Sequence, residues 1–279
     1  MKKVLMSVLA AMTVSAAAPA FAADMPVKAP KMVVAAPSPW DIAFGVAFTT
    51  DYRLRGVSQS NNRPAVQGYF ELQYNVNDWL KLYAGLWGSS LNPSFANAEI
   101  DISGGARMAF GNFGLDLGYV YYYYPGPAAV QLVGPPAGSS ISFGDFYAKP
   151  SYKVADWLTL GAVVDYGNNF NNGVGIAGSK VAGYYSGNAM ITLPFSFNGV
   201  TVAVNPEIGR QFVQCTGCTS FTYWDVGLIF NFKAATLDLR YWDTSMRNSP
   251  AAINLLGNNV AKSTFVATLK FDTTWSSLK

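Results

Sequence analysis

The strongest constraint in this chain is a hydrophobic alternation of period two that returns from Trp40 almost to the C-terminus. Ile42, Phe44, Val46 and Phe48 alternate with Ala43, Gly45, Ala47 and Thr49. Successive side chains of a strand point to opposite faces, so such a segment builds one apolar face and one small or polar face. Extending the second set beyond Thr49 predicts that Asp51, Arg53 and Arg55 share the polar face. The rhythm recurs in Val66, Phe70, Leu72 and Tyr74 against Gln67, Tyr69, Glu71 and Gln73, and in Ile100, Ile102 and Met108 against Glu99, Asp101 and Arg107. It recurs again in Phe146, Ala148 and Tyr152 against Asp145, Lys149 and Lys153, in Leu237, Leu239 and Tyr241 against Asp238 and Arg240, and in Phe265, Ala267, Leu269 and Phe271 against Thr268 and Lys270.

Counted along the chain, the segments predict about twelve strands, an even number in the range of single-chain membrane barrels, with ten and fourteen as its even neighbours. Connections alternate in length. Short turns are predicted near Asn77-Asp78, Gly111-Asn112, Ala155-Asp156, Asn198-Gly199 and Lys233-Ala234. Longer segments fall near Val57–Arg63, Ser89–Asn97, Pro125–Ser140, Gly167–Ser179, Val213–Ser220 and Ser245–Ala261. The fold class expected is therefore all-β, a transmembrane antiparallel up-and-down barrel over residues 40–271 with both termini on the short-turn side.

Composition agrees. Aromatic residues make up 15% of the chain and charged residues only 13%, about half the charged share of an ordinary soluble domain. Residues 1–22 read as an export signal, with Lys2-Lys3, an apolar run and Ala20-Phe21-Ala22 before the cleavage point. Residues 23–39, rich in Pro and Ala, read as a flexible periplasmic tail, and residues 272–279 as a short C-terminal one. Loss of Lys2 and Lys3 takes two cations from the +3 of the full chain, and no basic face remains to argue for nucleic acid.

The sequence holds no histidine, so the usual general base near neutral pH is missing and no enzymatic activity is expected. Neither a metal nor a cofactor is called for. Cys215 and Cys218, a CxxC in a predicted outer loop of an exported chain, read as a small disulfide that ties the loop. Two segments echo one another, Val76-Asn77-Asp78-Trp79-Leu80 and Val154-Ala155-Asp156-Trp157-Leu158, and turn chemistry accounts for both. Tyr121–Tyr124 reads as rim aromatics, or as a sugar-stacking platform if Tyr122 and Tyr124 line an opening.

Charge falls consistently opposite the apolar set, where a lipid-facing Lys or Arg would cost about 2–4 kcal/mol. A wet or internally paired lumen follows. The candidate lining residues are Asp51, Arg53, Arg55, Glu71, Glu99, Asp101, Arg107, Lys149 and Arg240. The segment Thr50-Asp51-Tyr52-Arg53-Leu54-Arg55-Gly56-Val57-Ser58-Gln59-Ser60, followed by Pro64-Ala65-Val66-Gln67-Gly68 and the later Ala98-Glu99-Ile100-Asp101, resembles the TorF family of porin-like proteins. That resemblance implies an outer-membrane pore-former of a Gram-negative bacterium, without catalytic residues. The expected partners are outer-membrane lipid and small solutes or ions, with the oligomeric state open. Opposed charges of Asp51, Arg53 and Arg55 with Glu71 and Glu99 would form a constriction cluster, or ion pairs bracing the wall. The other class of function in view is a closed structural or adhesive barrel that works through its outer loops.

Overall fold

A computed structural model describes residues 38–91, 96–125, 142–167, 181–214, 219–253 and 257–278. The predicted export signal, nearly all of the tail after it and the Cys215/Cys218 pair lie outside these residues. Twelve strands close into one antiparallel barrel. They are β1 (Trp40–Thr49), β4 (Ala65–Asn77), β5 (Leu80–Ser90), β6 (Ala98–Phe110), β7 (Phe113–Tyr123), β8 (Phe143–Ala155), β9 (Leu158–Gly167), β10 (Val181–Phe197), β11 (Val200–Gln214), β12 (Phe221–Phe232), β13 (Ala235–Thr244) and β14 (Thr264–Thr274). Two further short strands, β2 (Arg53–Leu54) and β3 (Val57–Ser58), pair only with each other.

Neighbours in sequence are neighbours in space, and β14 returns to β1, with Val46 opposite Phe271 and Phe48 opposite Leu269. Closure leaves no free edge, the condition for strands in a medium that cannot hydrogen-bond. β14 runs on past the predicted end of the barrel to Thr274, and a single 3-10 turn at Ser276–Leu278 follows. That turn is fastened to the start of β1, since Ser276 donates through its backbone N–H (3.0 Å) and its hydroxyl (2.5 Å) to the Asp41 carboxylate.

Five connections at one end have two residues each, after β4, β6, β8, β10 and β12. Asn198 and Gly199 both take positive φ, 48° and 80°, as the favoured two-residue hairpin turn requires. The two echoing segments are both such turns, each with a register shift just before it, at Asn75/Asn77 and at Lys153/Ala155. Their likeness is thus a shared bulged turn.

The alternation read from sequence sorts the faces. Val46, Phe70, Leu86, Phe146, Val164 and Leu228 are exposed on the outer wall. Aromatics mark both ends of that wall. Trp40 rests on Tyr74 (4.7 Å) and Trp79 on Phe110 (5.3 Å) at the short-turn end. Trp224 meets Tyr241 (5.3 Å), and Tyr241 meets Phe265 (4.9 Å), toward the other.

Inside, large rings lie flat over glycines of adjacent strands. A Cβ on Gly105 would stand 2.6 Å from the Tyr83 hydroxyl and 2.3 Å from the Leu117 carbonyl oxygen, so Tyr83 fits only because that position is bare. Gly105→Ala should destabilise the barrel by about 1–3 kcal/mol, the usual cost of overpacking. Gly187→Ala, where an added Cβ meets nothing within 4 Å, should be neutral. Urea unfolding of both variants from lipid vesicles checks this, as a lowered midpoint for the first alone.

Candidate functional site

The strand β1 stops at Thr49, and the chain that follows does not continue its alternation. Residues 51–63 turn inward, and the β2–β3 hairpin reaches across the lumen. Arg55 at its tip donates to the Gln211 side-chain oxygen on β11 (2.5 Å), pairs with Asp165 on β9 (3.6 Å), and lies over the Tyr184 ring on β10 (3.6 Å). In the strand order β9 is halfway round the barrel from β1. The loop therefore spans the full width of the lumen toward its long-loop end. The expectation that Asp51, Arg53 and Arg55 extend β1 on one lumenal face is corrected accordingly.

The two residues that turn the hairpin are Arg55 and Gly56, both with positive φ, 53° and 82°. Gly takes this conformation freely, whereas an L-residue with a side chain pays about 1–2 kcal/mol. An arginine held in such a backbone costs stability, and its side chain is the one that touches the far wall. Burial works against the Arg55 charge. The negative Asp165, with Tyr122, Tyr184 and Asp145 around it, outweighs that and holds the pKa above the ordinary arginine value.

Asp51 organises the loop from within. Its carboxylate accepts from the Arg53 Nε (2.7 Å) and from the hydroxyls of Ser58 (2.5 Å) and Ser60 (2.9 Å). The Arg53 guanidinium continues to the carbonyls of Gly56 (2.9 Å) and Lys262 (2.8 Å) and to the Asn62 side chain (3.0 Å). The segment after β13 comes down beside it, with Ser58 N–H on the Val260 carbonyl (2.8 Å). Tyr52, on the other side, packs on Trp87 (5.4 Å) and donates to Glu99 (3.1 Å). Burial, and then the nearby Glu99 charge, push the Tyr52 hydroxyl well above the usual tyrosine range, so it remains a donor.

The predicted lining residues do not form one constriction cluster. Glu71 pairs with Arg107 in a two-pronged bond (2.6 and 2.7 Å), and Arg107 also reaches Asp116 (3.2 Å) and covers the Tyr83 ring (3.8 Å). Arg240 is held by Asp225, by Asp238 (2.9 Å) and by the Asn205 side chain (2.9 Å). Lys149 sits over the Tyr147 ring (4.3 Å). Asp101 stands two residues along β6 from Glu99, and one of its carboxylate oxygens is buried with no hydrogen-bond partner. Thus Glu71 meets Arg107 rather than the loop arginines, and Glu99 meets Tyr52. Opposed charges of this kind brace the two walls.

Tyr122 and Tyr124 pack with Phe143, Leu91 and Tyr52 in a buried cluster. They close part of the mouth, so they form no open stacking platform. The space left by the crossing loop lies along β14, β1, β4, β5 and β13. A cavity of about 200 Å³ is lined there by the loop residues Asp51, Tyr52 and Arg53 together with Gln67, Trp87, Asp238, Arg240, Trp242, Thr268 and Lys270, among others. A second, of about 280 Å³, adjoins it through Gln67, Trp87 and Lys270, and continues past Gly45, Tyr69 and Asp272. Trp87, Trp242 and Tyr52 carry no charge and escape a search for lumen charges, although strand alternation already turns both tryptophans inward.

The chain belongs to a family of bacterial proteins of unknown function, Gcw_chp, whose model matches residues 34–272. The narrower resemblance to the TorF family rests on residues 50–68 and 98–101. No curated protein matches the chain. Among solved structures it is similar to a barrel from a study of in-meso crystallization of membrane proteins, with a TM-score of 0.51, 8% identity, and 85% of this chain and 84% of that one covered. It is also similar to the NanC porin (TM-score 0.49, 10% identity, 83% and 98% covered) and to an outer membrane channel from Pseudomonas putida F1 (0.47, 14%, 88% and 99%). At these identities the likeness is one of fold.

If Asp51 is the hub of the crossing loop, Asp51→Ala should leave the barrel closed and loosen residues 51–63. Removing one partner of a buried pair costs about 3 kcal/mol or more. Amide exchange across the loop should then quicken by about a hundredfold, with exchange in β4–β14 unchanged. Equal protection in both proteins would contradict the assignment.

Proposed function

We propose that this member of the family is an outer-membrane channel for the passive diffusion of ions or small hydrophilic solutes, narrowed by its first long loop. Three features support the membrane reading: an apolar outer wall, aromatics at both ends of it, and closure without a free edge. Phe232 and Trp224 stand near the two ends of β12, eight residues apart. At about 3.4 Å per residue and a strand tilt near 40°, that separation corresponds to a band of about 21 Å, close to the ~25 Å expected. The chain is read as acting without chemistry of its own.

The observation that carries the channel reading is the crossing loop. A barrel filled by its own side chains has no use for a structured segment that reaches from β1 to β9, built around a strained arginine. A loop folded into a water-filled lumen narrows it at one height and leaves a passage beside it, which is where the two adjoining cavities lie. Asp51, Tyr52 and Arg53 then border the passage, while Arg55 ties the tip of the loop to the far wall and so holds the loop across the lumen.

The alternative, a closed structural or adhesive barrel, draws on the same end of the molecule. There Phe221, Tyr223, Met246, Ala252 and Ala261 form a second buried cluster under the last loop. Conductance separates the two readings. The purified mature protein in a planar bilayer should give discrete current steps. Arg55→Asn keeps a residue that tolerates positive φ and removes the contact with the far wall. It should raise the step about twofold and shift the reversal potential in asymmetric salt toward cation preference. Correctly folded protein without steps at any voltage would favour the closed barrel.

A further inference from the structure

Within this channel reading, on which the inference rests, the cavity beneath the crossing loop has the makings of a ligand subsite. Its aromatic side chains are Tyr52, Trp87 and Trp242. Apolar ring faces that line a polar lumen are left unsatisfied by water and gain on stacking against a flat, weakly polar partner. The other wall of the cavity is polar, with Gln67 and Thr268 among its hydrogen-bonding groups.

The charges of the cavity divide sharply. Asp51 is tied to Arg53, and Asp238 to Arg240. Lys270 has no such partner, since among the described residues its side chain makes no ion pair and no hydrogen bond. Its neighbour on the same face of β14, Asp272, borders only the lower cavity, beside Tyr69. The upper cavity therefore offers three aromatic faces and one ammonium group outside any ion pair. A volume of about 200 Å³ suits a single ring.

We propose that this cavity binds a small carboxylate carried on one ring, with the ring against Trp87 and Tyr52 and the carboxylate on the Lys270 ammonium. A sugar acid and an aromatic acid share this chemistry, so the test uses both. Glucuronate and benzoate are added to the wild-type protein and to Lys270→Met and Trp87→Leu, with glucose and glucosamine as neutral and cationic ring controls. Block of single-channel current in a planar bilayer and heat of binding in detergent micelles are both recorded.

The expected result is that at least one of the two acids blocks current and binds in micelles, while glucose and glucosamine bind at least tenfold more weakly. Each substitution should weaken the acid about tenfold and leave open-channel current present. Glucuronate active without benzoate assigns the site to sugar acids, and the reverse to aromatic acids. Current without block or binding by either acid overturns the subsite and leaves the channel standing. Binding in micelles without any current overturns the channel and leaves the subsite. Equal affinity for glucosamine, or unchanged affinity in Lys270→Met, overturns the role given to Lys270. Refolding of each variant is checked by its heat-dependent gel mobility, and Lys270→Gln serves if the methionine variant fails to fold.

Discussion

Everything inside this molecule depends on the pairing of β14 with β1. Closing the sheet satisfies the backbone of every strand from its neighbours and removes the edge that would otherwise seek another chain. Once the sheet is closed, strand alternation divides the side chains between an apolar exterior and an enclosed interior. Charge then has one place to go. Arg107 with Glu71 and Asp116, and Arg240 with Asp225 and Asp238, are outcomes of that enclosure. Buried pairs of this sort add little net stability, but each fixes the position of a long side chain along the wall and so keeps it out of the passage.

The crossing loop is the one part of the barrel interior that alternation does not dictate. Its shape follows from a second economy of hydrogen bonds, in which Asp51 serves Arg53, Ser58 and Ser60 at once. That internal rigidity lets a short hairpin hold Arg55 in a left-handed backbone and present it to β9, β10 and β11. Strain of this kind persists where surrounding contacts over-determine it, and it gathers at functional positions. It also separates roles that look alike in the sequence. Arg53 is almost wholly enclosed and holds the loop together from within, while Arg55, two residues on, ties its tip to the far wall. Neutralising both together would confuse loss of the loop's internal bonds with loss of its far anchor.

The strands, their number and the placement of turns were legible because period two is a local signal repeated along the whole chain. Charges such as Glu71, Arg107 and Arg240 fell on the inner face for the same reason. The pairing among them was not legible, since register alone decides whether Arg107 meets Glu71 or a loop residue. The path of residues 51–55 was misread because the alternation happens to persist for three more positions, Asp51, Arg53 and Arg55, after the strand has ended. Arg-Gly is an uncommon pair for a turn with both φ values positive, where Asn-Gly would have announced it. The tie from Arg55 to Asp165 joins residues far apart in sequence, and no local pattern reports such a contact. Trp87, Trp242 and Lys270 point inward as alternation requires, yet their value as a cavity appears only when the loop is in place above them.

The most direct measurement is the size cut-off of the passage. Single-channel current is recorded with poly(ethylene glycol) of graded mass for the native chain and for a variant in which residues 52–60 are replaced by a short Gly-Ser link. With the loop as the narrowest element, the variant should admit larger polymers and carry more current than the native protein. The same cut-off and the same current in both proteins would contradict a lumen narrowed by the crossing loop.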